Sequence, residues 1–313
     1  MSLSFTDNIN SFNVSNVSVS QVSNHYAAPG DRFEILAWLS PLEPRIRHQD
    51  IRTRRADNVG EWLLQTDEFQ RWCDGAQPGS ADHATLFCCG GPAVLSVRPT
   101  SGKRESCTKD GKMMVLIFID TSSLVVDGLC DRAKEQNIAV ACFYVDFAAR
   151  EEQSPTNILG SLLKQIIAGL EMIPEEIRQT FQDHKKVIGG RGLRVPGIVK
   201  MLQAVTSLQQ TFICVDALDE CMEWHRPEVL DSLRQILEKS PNTRIFLTGR
   251  QHIRGEIDRH LGGRTVVLSI KPNNDDIVKY IQMRLSKDTS LDAMDSSLEA
   301  EIIEGIAKNI PET

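Results

Sequence analysis

The chain has 313 residues, with 35 Lys and Arg against 42 Asp and Glu, a formal net charge of −7. That length accommodates one large α/β domain with appendages, and the acidic balance argues against a dedicated nucleic-acid binder. No apolar run reaches transmembrane length. The first residues, Met1 to Asp7, lack a basic stretch followed by an apolar core, so no signal peptide is expected. The eight cysteines include no Cys-x-x-Cys pair, and several fall in expected strands or helices. They predict free thiols of a reducing, cytoplasmic compartment, not a disulfide frame or a zinc site.

Residues 1–30 are rich in Asn, Ser and Val with few charges. Their polarity fits a disordered leader. Their partial apolar–polar alternation also fits a β-prone segment able to stack between chains. Residues 31–83 form a helical pre-domain segment. Within it Glu34 to Leu42 reads as a short helix or turn stopped by Pro41, followed by a basic stretch with Arg45, Arg47, Arg52, Arg54 and Arg55. A second helix, capped by Asp57, carries Val59, Trp62, Leu63, Phe69 and Trp72 near one face, an aromatic spacing that reads as core packing.

Ala84 to Cys89 is an apolar run that ends in Gly90, Gly91 and Pro92. Residues 93–110 are basic and polar. Met113 to Asp120 is apolar again and reads as a core helix, although its final Asp also mimics a strand ending in an acid. From Asn137 the α/β alternation is regular. It runs through a strand at Ile138 to Phe147, a helix begun by Ser154 and Pro155, a helix opened by Pro174, and a helix with Val199, Leu202 and Val205. His184 to Lys186 reads as a solvated face, and Gly189 to Gly192 as a loop able to touch a nucleotide.

The run Phe212-Ile213-Cys214-Val215 then enters Asp216-Ala217-Leu218-Asp219-Glu220. Four apolar residues without alternation read as a buried strand of a parallel sheet. Its last acid falls at the strand's C-terminal edge, where open α/β sheets bind ligands. Three acids in one turn suit a hydrated Mg2+ beside a nucleotide phosphate, with one carboxylate for the ion and another to orient water. A helix follows at Pro227 to Lys239, then a strand at Arg244 to Arg250, a short strand at Thr265 to Ile270, a helix through Tyr280 and Leu285, and a further helix around Ile302 to Ile310.

The Asp-Ala-Leu-Asp-Glu block resembles the Walker B motif of NACHT-type signal-transduction NTPases, in the form of fungal proteins and nephrocystin-like N-terminal modules. The resemblance runs from about Ile35 to the C-terminus. It implies a P-loop-type three-layer α/β domain with a mostly parallel sheet over 84–270, and a helical tail over 271–313 that begins a lid region. It also implies Mg2+ with ATP or GTP as cofactor, Asp216 at the metal, and Asp219 and Glu220 in hydrolysis. Arg250, at the end of a strand like the family's sensor 1 strand, would approach the terminal phosphate, or else pair with a surface acid.

The phosphate loop the family requires, G-x-x-x-x-G-K-[ST], wraps phosphate oxygens in backbone N–H groups and supplies a lysine and a metal-side hydroxyl. Gly90, Gly91 and Pro92 fit its opening, and then the pattern fails. Gly102-Lys103 is followed by Arg104, and Gly111-Lys112 by Met113 in place of the hydroxyl. Gly111 and Lys112 are the better remnant, because the apolar run after them resembles the helix that follows the loop. Residues 93–110 then read as an insertion that splits the loop, with Thr121 to Val126 either part of it or not.

The expected function is an NTPase switch for assembly with other chains in a fungal self/non-self recognition complex, the leader acting as a homotypic stacking segment. The alternative is a nucleotide-independent scaffold, or a truncated non-functional product that retains the fold. A kinase-like phosphotransferase lacks any acceptor-site signature.

Overall fold

A computed structural model describes residues 29–56, 59–75, 83–90, 109–186, 192–270 and 274–286. The leader, Asp57, the 93–108 part of the interposed stretch and the expected helix at 302–310 lie outside these. Five strands form one parallel sheet: β1 (Thr85–Gly90), β2 (Ile138–Tyr144), β3 (Gln210–Asp216), β4 (Thr243–Arg250) and β5 (Thr265–Ile270). Their spatial order is β2-β3-β4-β1-β5. The P-loop-like α/β architecture read from the sequence is therefore present, and β2, β3 and β4 share one sheet as expected.

The period of two in a strand divides the core into two layers. Ile213 and Val215 of β3, Phe87 and Cys89 of β1, and Ile245 and Leu247 of β4 face one cluster. Against it pack helices α1 (Pro29–Leu39), α5 (Pro155–Gly169), α7 (Val195–Thr206) and α8 (Arg226–Lys239), with α6 (Glu175–Lys186) and α9 (Arg254–Leu261) further out. Phe212 and Cys214, Leu86 and Cys88, and Phe246 face the other cluster, with α2 (Pro44–Arg54), α3 (Asp67–Asp74) and α4 (Lys109–Glu135). The pre-domain residues belong to both layers. Ile35 and Leu39 of α1 enter the first, and Ile51, Leu63, Phe69, Trp72 and Cys73 the second. A last helix, α10 (Asn274–Ser286), follows β5.

Two expectations are corrected, one left open is resolved, and the helix read at Met113 to Asp120 is present. The single helix expected around Trp62 and Trp72 is two pieces, a short 3-10 turn at Glu61–Gln65 and α3. Gly60 at φ +82° opens the first piece, and Thr66, whose hydroxyl accepts from the Phe69 N–H at 3.3 Å, caps the second. The basic stretch from Arg45 to Arg54 is helical, with Pro44 in its first turn. Residues 121–126 are not a loop insertion: they continue α4, with Thr121, Ser122, Ser123, Val125 and Val126 buried. Met113 to Asp120 lie in the same helix, so their likeness to an acid-ended strand is a coincidence of composition. Helix α9 falls in a stretch to which the sequence reading assigned no element.

Candidate functional site

All five strands point the same way, so their last residues form one C-terminal edge. There Tyr144 pairs in register with Asp216, and Gly90 with Arg250. Gly90 lies two strands from Asp216, about 10 Å across the sheet. Gly91 and Pro92 fall outside the described residues.

Asp216 is 5% exposed. Two residues beyond Cys214, it shares that residue's face and is directed at α4. Its Oδ1 accepts hydrogen bonds from the Ser122 hydroxyl and, at 2.6 Å, from the Thr248 hydroxyl. Thr248, two residues beyond Phe246 on β4, in turn accepts from the Ala217 N–H at 2.9 Å. Among the described residues both hydroxyls converge on Oδ1, and Oδ2 has no protein donor. The gap between α4 and the sheet at this point, lined by Ser122, Val126, Cys142, Tyr144 and Phe246, is too narrow for a water molecule. Burial pushes the Asp216 carboxyl up to about 6, and the two hydroxyl bonds oppose that rise.

The chain leaves β3 through Ala217, a non-glycine residue at φ 53° in the left-handed region. That conformation costs about 1–2 kcal/mol and turns the following residues into a short 3-10 turn, Leu218–Glu220. The turn sends the two later acids in opposite directions along the edge. Asp219 reaches β4: its Oδ1 accepts from the Arg250 N–H at 3.1 Å, and its Oδ2 lies 3.3 Å from Arg250 Nε. Glu220 reaches the end of β2, where it accepts from the Phe147 N–H at 3.2 Å. Burial raises the Glu220 carboxyl, and that N–H bond and Arg250 offset part of the rise.

The structure therefore brings Asp216, Asp219, Glu220 and Arg250 to one edge. Arg250 is engaged by Asp219 while its side chain remains 64% exposed. Gly111 and Lys112 lie in the first turn of α4. Ser122 is ten residues further on, which is about 15 Å along the helix axis at 1.5 Å per residue. Sequence reasoning looked for the metal-side hydroxyl next to that Gly-Lys pair and found Met113. The hydroxyl that meets Asp216 from α4 is that of Ser122. Thr248 was also missed; as the last hydroxyl of an apolar strand adjacent to an acid-ended strand, it carried a readable signal. Ser122 carried none, because its role depends on where α4 starts.

Residues 121–250 match a family model described as Nephrocystin 3, N-terminal. That span is similar to the nephrocystin-like N-terminal family. The matched span begins one residue before Ser122 and ends at Arg250, so it encloses Ser122, Asp216, Asp219, Glu220, Thr248 and Arg250 but not Gly90, Gly111 or Lys112. No curated protein matches the sequence. Among solved structures, a Walker-type ATPase of Pyrococcus abyssi aligns at 13% identity and TM-score 0.34, over 71% of this chain and 59% of that one. The chain thus spans 59% of the length of that relative. A chain of the E. coli HORMA:CdnC:Trip13 complex aligns at 12% identity and TM-score 0.30, over 82% and 76% of the two chains. A chain of Drosophila ORC bound to GC-rich DNA and Cdc6 aligns at 12% identity and TM-score 0.31, over 91% and 89%. No helix among the described residues is long and apolar enough to cross a membrane.

Proposed function

We propose that this module is a signal-transduction NTPase switch in which Mg2+ with ATP or GTP binds at the Asp216 edge and controls assembly with other protein chains, in a setting such as fungal self/non-self recognition. What supports the reading is the convergence of Ser122 and Thr248 on Asp216 at the C-terminal edge of a parallel sheet.

The donor types fit Mg2+, and the gap between α4 and the sheet, too narrow for water as it stands, would have to open to admit the ion with its waters. This ion takes oxygen ligands in octahedral geometry, retains several waters, and is held by one or two carboxylates together with substrate phosphates. Asp216 Oδ2, free of protein donors among the described residues, and the adjacent Ser122 hydroxyl are the two oxygens that would hold it. The ion would supply charge neutralisation at the β- and γ-phosphates. Asp216 must be ionised for that role, which its position near 6 permits at neutral pH. Glu220, the acid held by the Phe147 N–H, would orient the attacking water and take its proton. Asp219 holds the Arg250 backbone and guanidinium, and Arg250 would turn toward the terminal phosphate when nucleotide is present.

The phosphate-loop half is where this chain departs from the type. Residues 94–121 separate Ala93 from Ser122. Substituting Ala-Gly-Lys for those residues would give Gly90-Gly91-Pro92-Ala93-Ala-Gly-Lys-Ser122, which satisfies the full motif with the hydroxyl already aimed at Asp216. With the stretch in place, several charge-assisted phosphate contacts worth about 1.5–3 kcal/mol each are lost, and affinity falls by several factors of ten. This interruption favours a second reading, a nucleotide-independent interaction module that retains the fold. Mg2+-dependent nucleotide binding and single-turnover hydrolysis by the chain as it stands separate the two: a switch should retain a weak, Asp216-dependent activity that Glu220→Gln slows further, whereas a scaffold shows neither binding nor turnover until the stretch is removed.

A further inference from the structure

Three consecutive residues of α4 make three different connections. Ser122 holds Asp216. Ser123 accepts from Arg55 Nη1 at 3.0 Å, and the same guanidinium bonds Asp127 of α4 at 2.8 Å. Thr121 packs on Gly60: a Cβ at that glycine would lie 2.8 Å from the Thr121 hydroxyl oxygen. Gly60 is also tied to α10, since its N–H donates to Asp276 Oδ2 at 3.3 Å and the Trp62 indole donates to the same oxygen at 3.0 Å. Asp276 is 4% exposed. A continuous set of short contacts thus runs from the first helix after the sheet, through the pre-domain segment, to the residue that holds the site carboxylate. His48 of α2 adds a brace on the same side, bonding Asp127 at 3.2 Å and the Tyr144 hydroxyl at 2.7 Å, with Tyr144 in register with Asp216.

We propose that Arg55, Gly60 and Trp62 are positioning residues for the Ser122–Asp216 contact, and that α10 sets the placement of Gly60 and Trp62 through Asp276. Movement of α10 is thereby passed to the site. Gly60 is suited to this because it is held from both sides: its N–H is tied to α10, and its Cα rests on Thr121, with no room for a side chain between. Displacing Asp276 frees the 3-10 turn at Glu61–Gln65, and the contact on Thr121 loosens with it. The regulatory meaning rests on the reading of Asp216 as the metal carboxylate, whereas the coupling itself does not.

Spatial continuity alone does not establish energetic coupling, so the test perturbs one end and reads the other. The probe is backbone hydrogen exchange of the full chain, without nucleotide or metal. Asp276→Ala is expected to speed exchange about tenfold in peptides covering residues 61–65 and 121–127, and to leave residues 229–237 of α8 unchanged. Asp276→Asn, which keeps the acceptor oxygen, is expected to restore most of the protection. Should Asp276→Ala fail to fold, Trp62→Phe removes the indole donor to Asp276 and is expected to produce the same pattern at about threefold. A rise confined to residues 61–65 and 274–286, or one equal in all helices, would overturn the proposal. Because no nucleotide is present, failure here is distinguishable from failure of the NTPase reading, which only ligand titration decides.

Discussion

Replacing Asp216 with Asn should make the protein more stable at neutral pH and remove a defined part of its pH dependence. Burial lifts the Asp216 carboxyl from its ordinary 3.8 to about 6 in the folded chain. The fold therefore favours the protonated form. Its contribution to stability is fully present below pH 3.8, declines as pH rises toward 6, and is absent above that. The span corresponds to about 3 kcal/mol. Asn keeps an acceptor oxygen for Ser122 and Thr248 but carries no charge. Asp216→Asn should then match the parent near pH 4 and exceed it by up to about 3 kcal/mol at pH 8, which is roughly 6 °C or more in Tm for a chain of this size. Glu220, also raised by burial, remains in both proteins, and only its charge interaction with Asp216 is lost in the variant. Urea melts at several pH values between 4 and 8 measure this directly. Equal stability at pH 8, or a less stable variant, would show that the ionised carboxylate is compensated in the fold, and the account of Asp216 as a site under electrostatic strain would be wrong.

Two further substitutions probe how the edge is built. Ala217→Gly relieves the left-handed strain at the exit of β3 and should stabilise the chain by a net of about 0.5–1 kcal/mol in denaturant melts, after the added freedom of glycine in the unfolded state is counted. Loss of stability there would place the strain elsewhere. Gly160→Ala sets a methyl group against the Leu39 carbonyl where α1 crosses α5. It should cost about 1–3 kcal/mol by overpacking, measured the same way, and a neutral result would mean that α1 does not dock on the core as described.

The parts of the fold that periodicity controls were legible in the sequence. The strand ending in Asp216 is an unbroken apolar run because both its faces are covered, by α4 on one side and α5 and α7 on the other. Helix α5 announced itself through Ser154, whose hydroxyl accepts from the Asn157 N–H at 3.3 Å, and through Pro155 in its first turn. What failed to read was tertiary. Helix α2 is stabilised by its guanidinium groups, with Arg47 on Asp146 and Arg52 on Asp127, and a basic stretch shows no apolar period before those acids are in place. The helix around Trp62 was read as one piece because its aromatic residues share one core face, yet Gly60 and Thr66 divide it. Asp216, Asp219 and Glu220 could be named as a group, but their divergence could not, since it depends on Ala217 adopting a positive φ that sequence alone would assign to glycine. The site's hydroxyl was sought by motif spacing. It was missed because helix α4, 27 residues long, begins well before the point at which it meets the sheet edge.

Isothermal titration of Mg-ATP and Mg-GTP into two proteins, the chain as it stands and the chain with residues 94–121 replaced by Ala-Gly-Lys, tests the central claim. The expected result is affinity weaker than about 100 μM in the first, the several factors of ten estimated from the lost phosphate contacts. The shortened chain should bind in the micromolar range in a Mg2+-dependent manner, and Asp216→Ala should abolish that dependence. Tight Mg2+-dependent binding by the unshortened chain would contradict the disabled loop. Absence of any Mg2+-dependent binding in the shortened chain would contradict the assignment of Asp216 and Ser122 as the metal side of a nucleotide site.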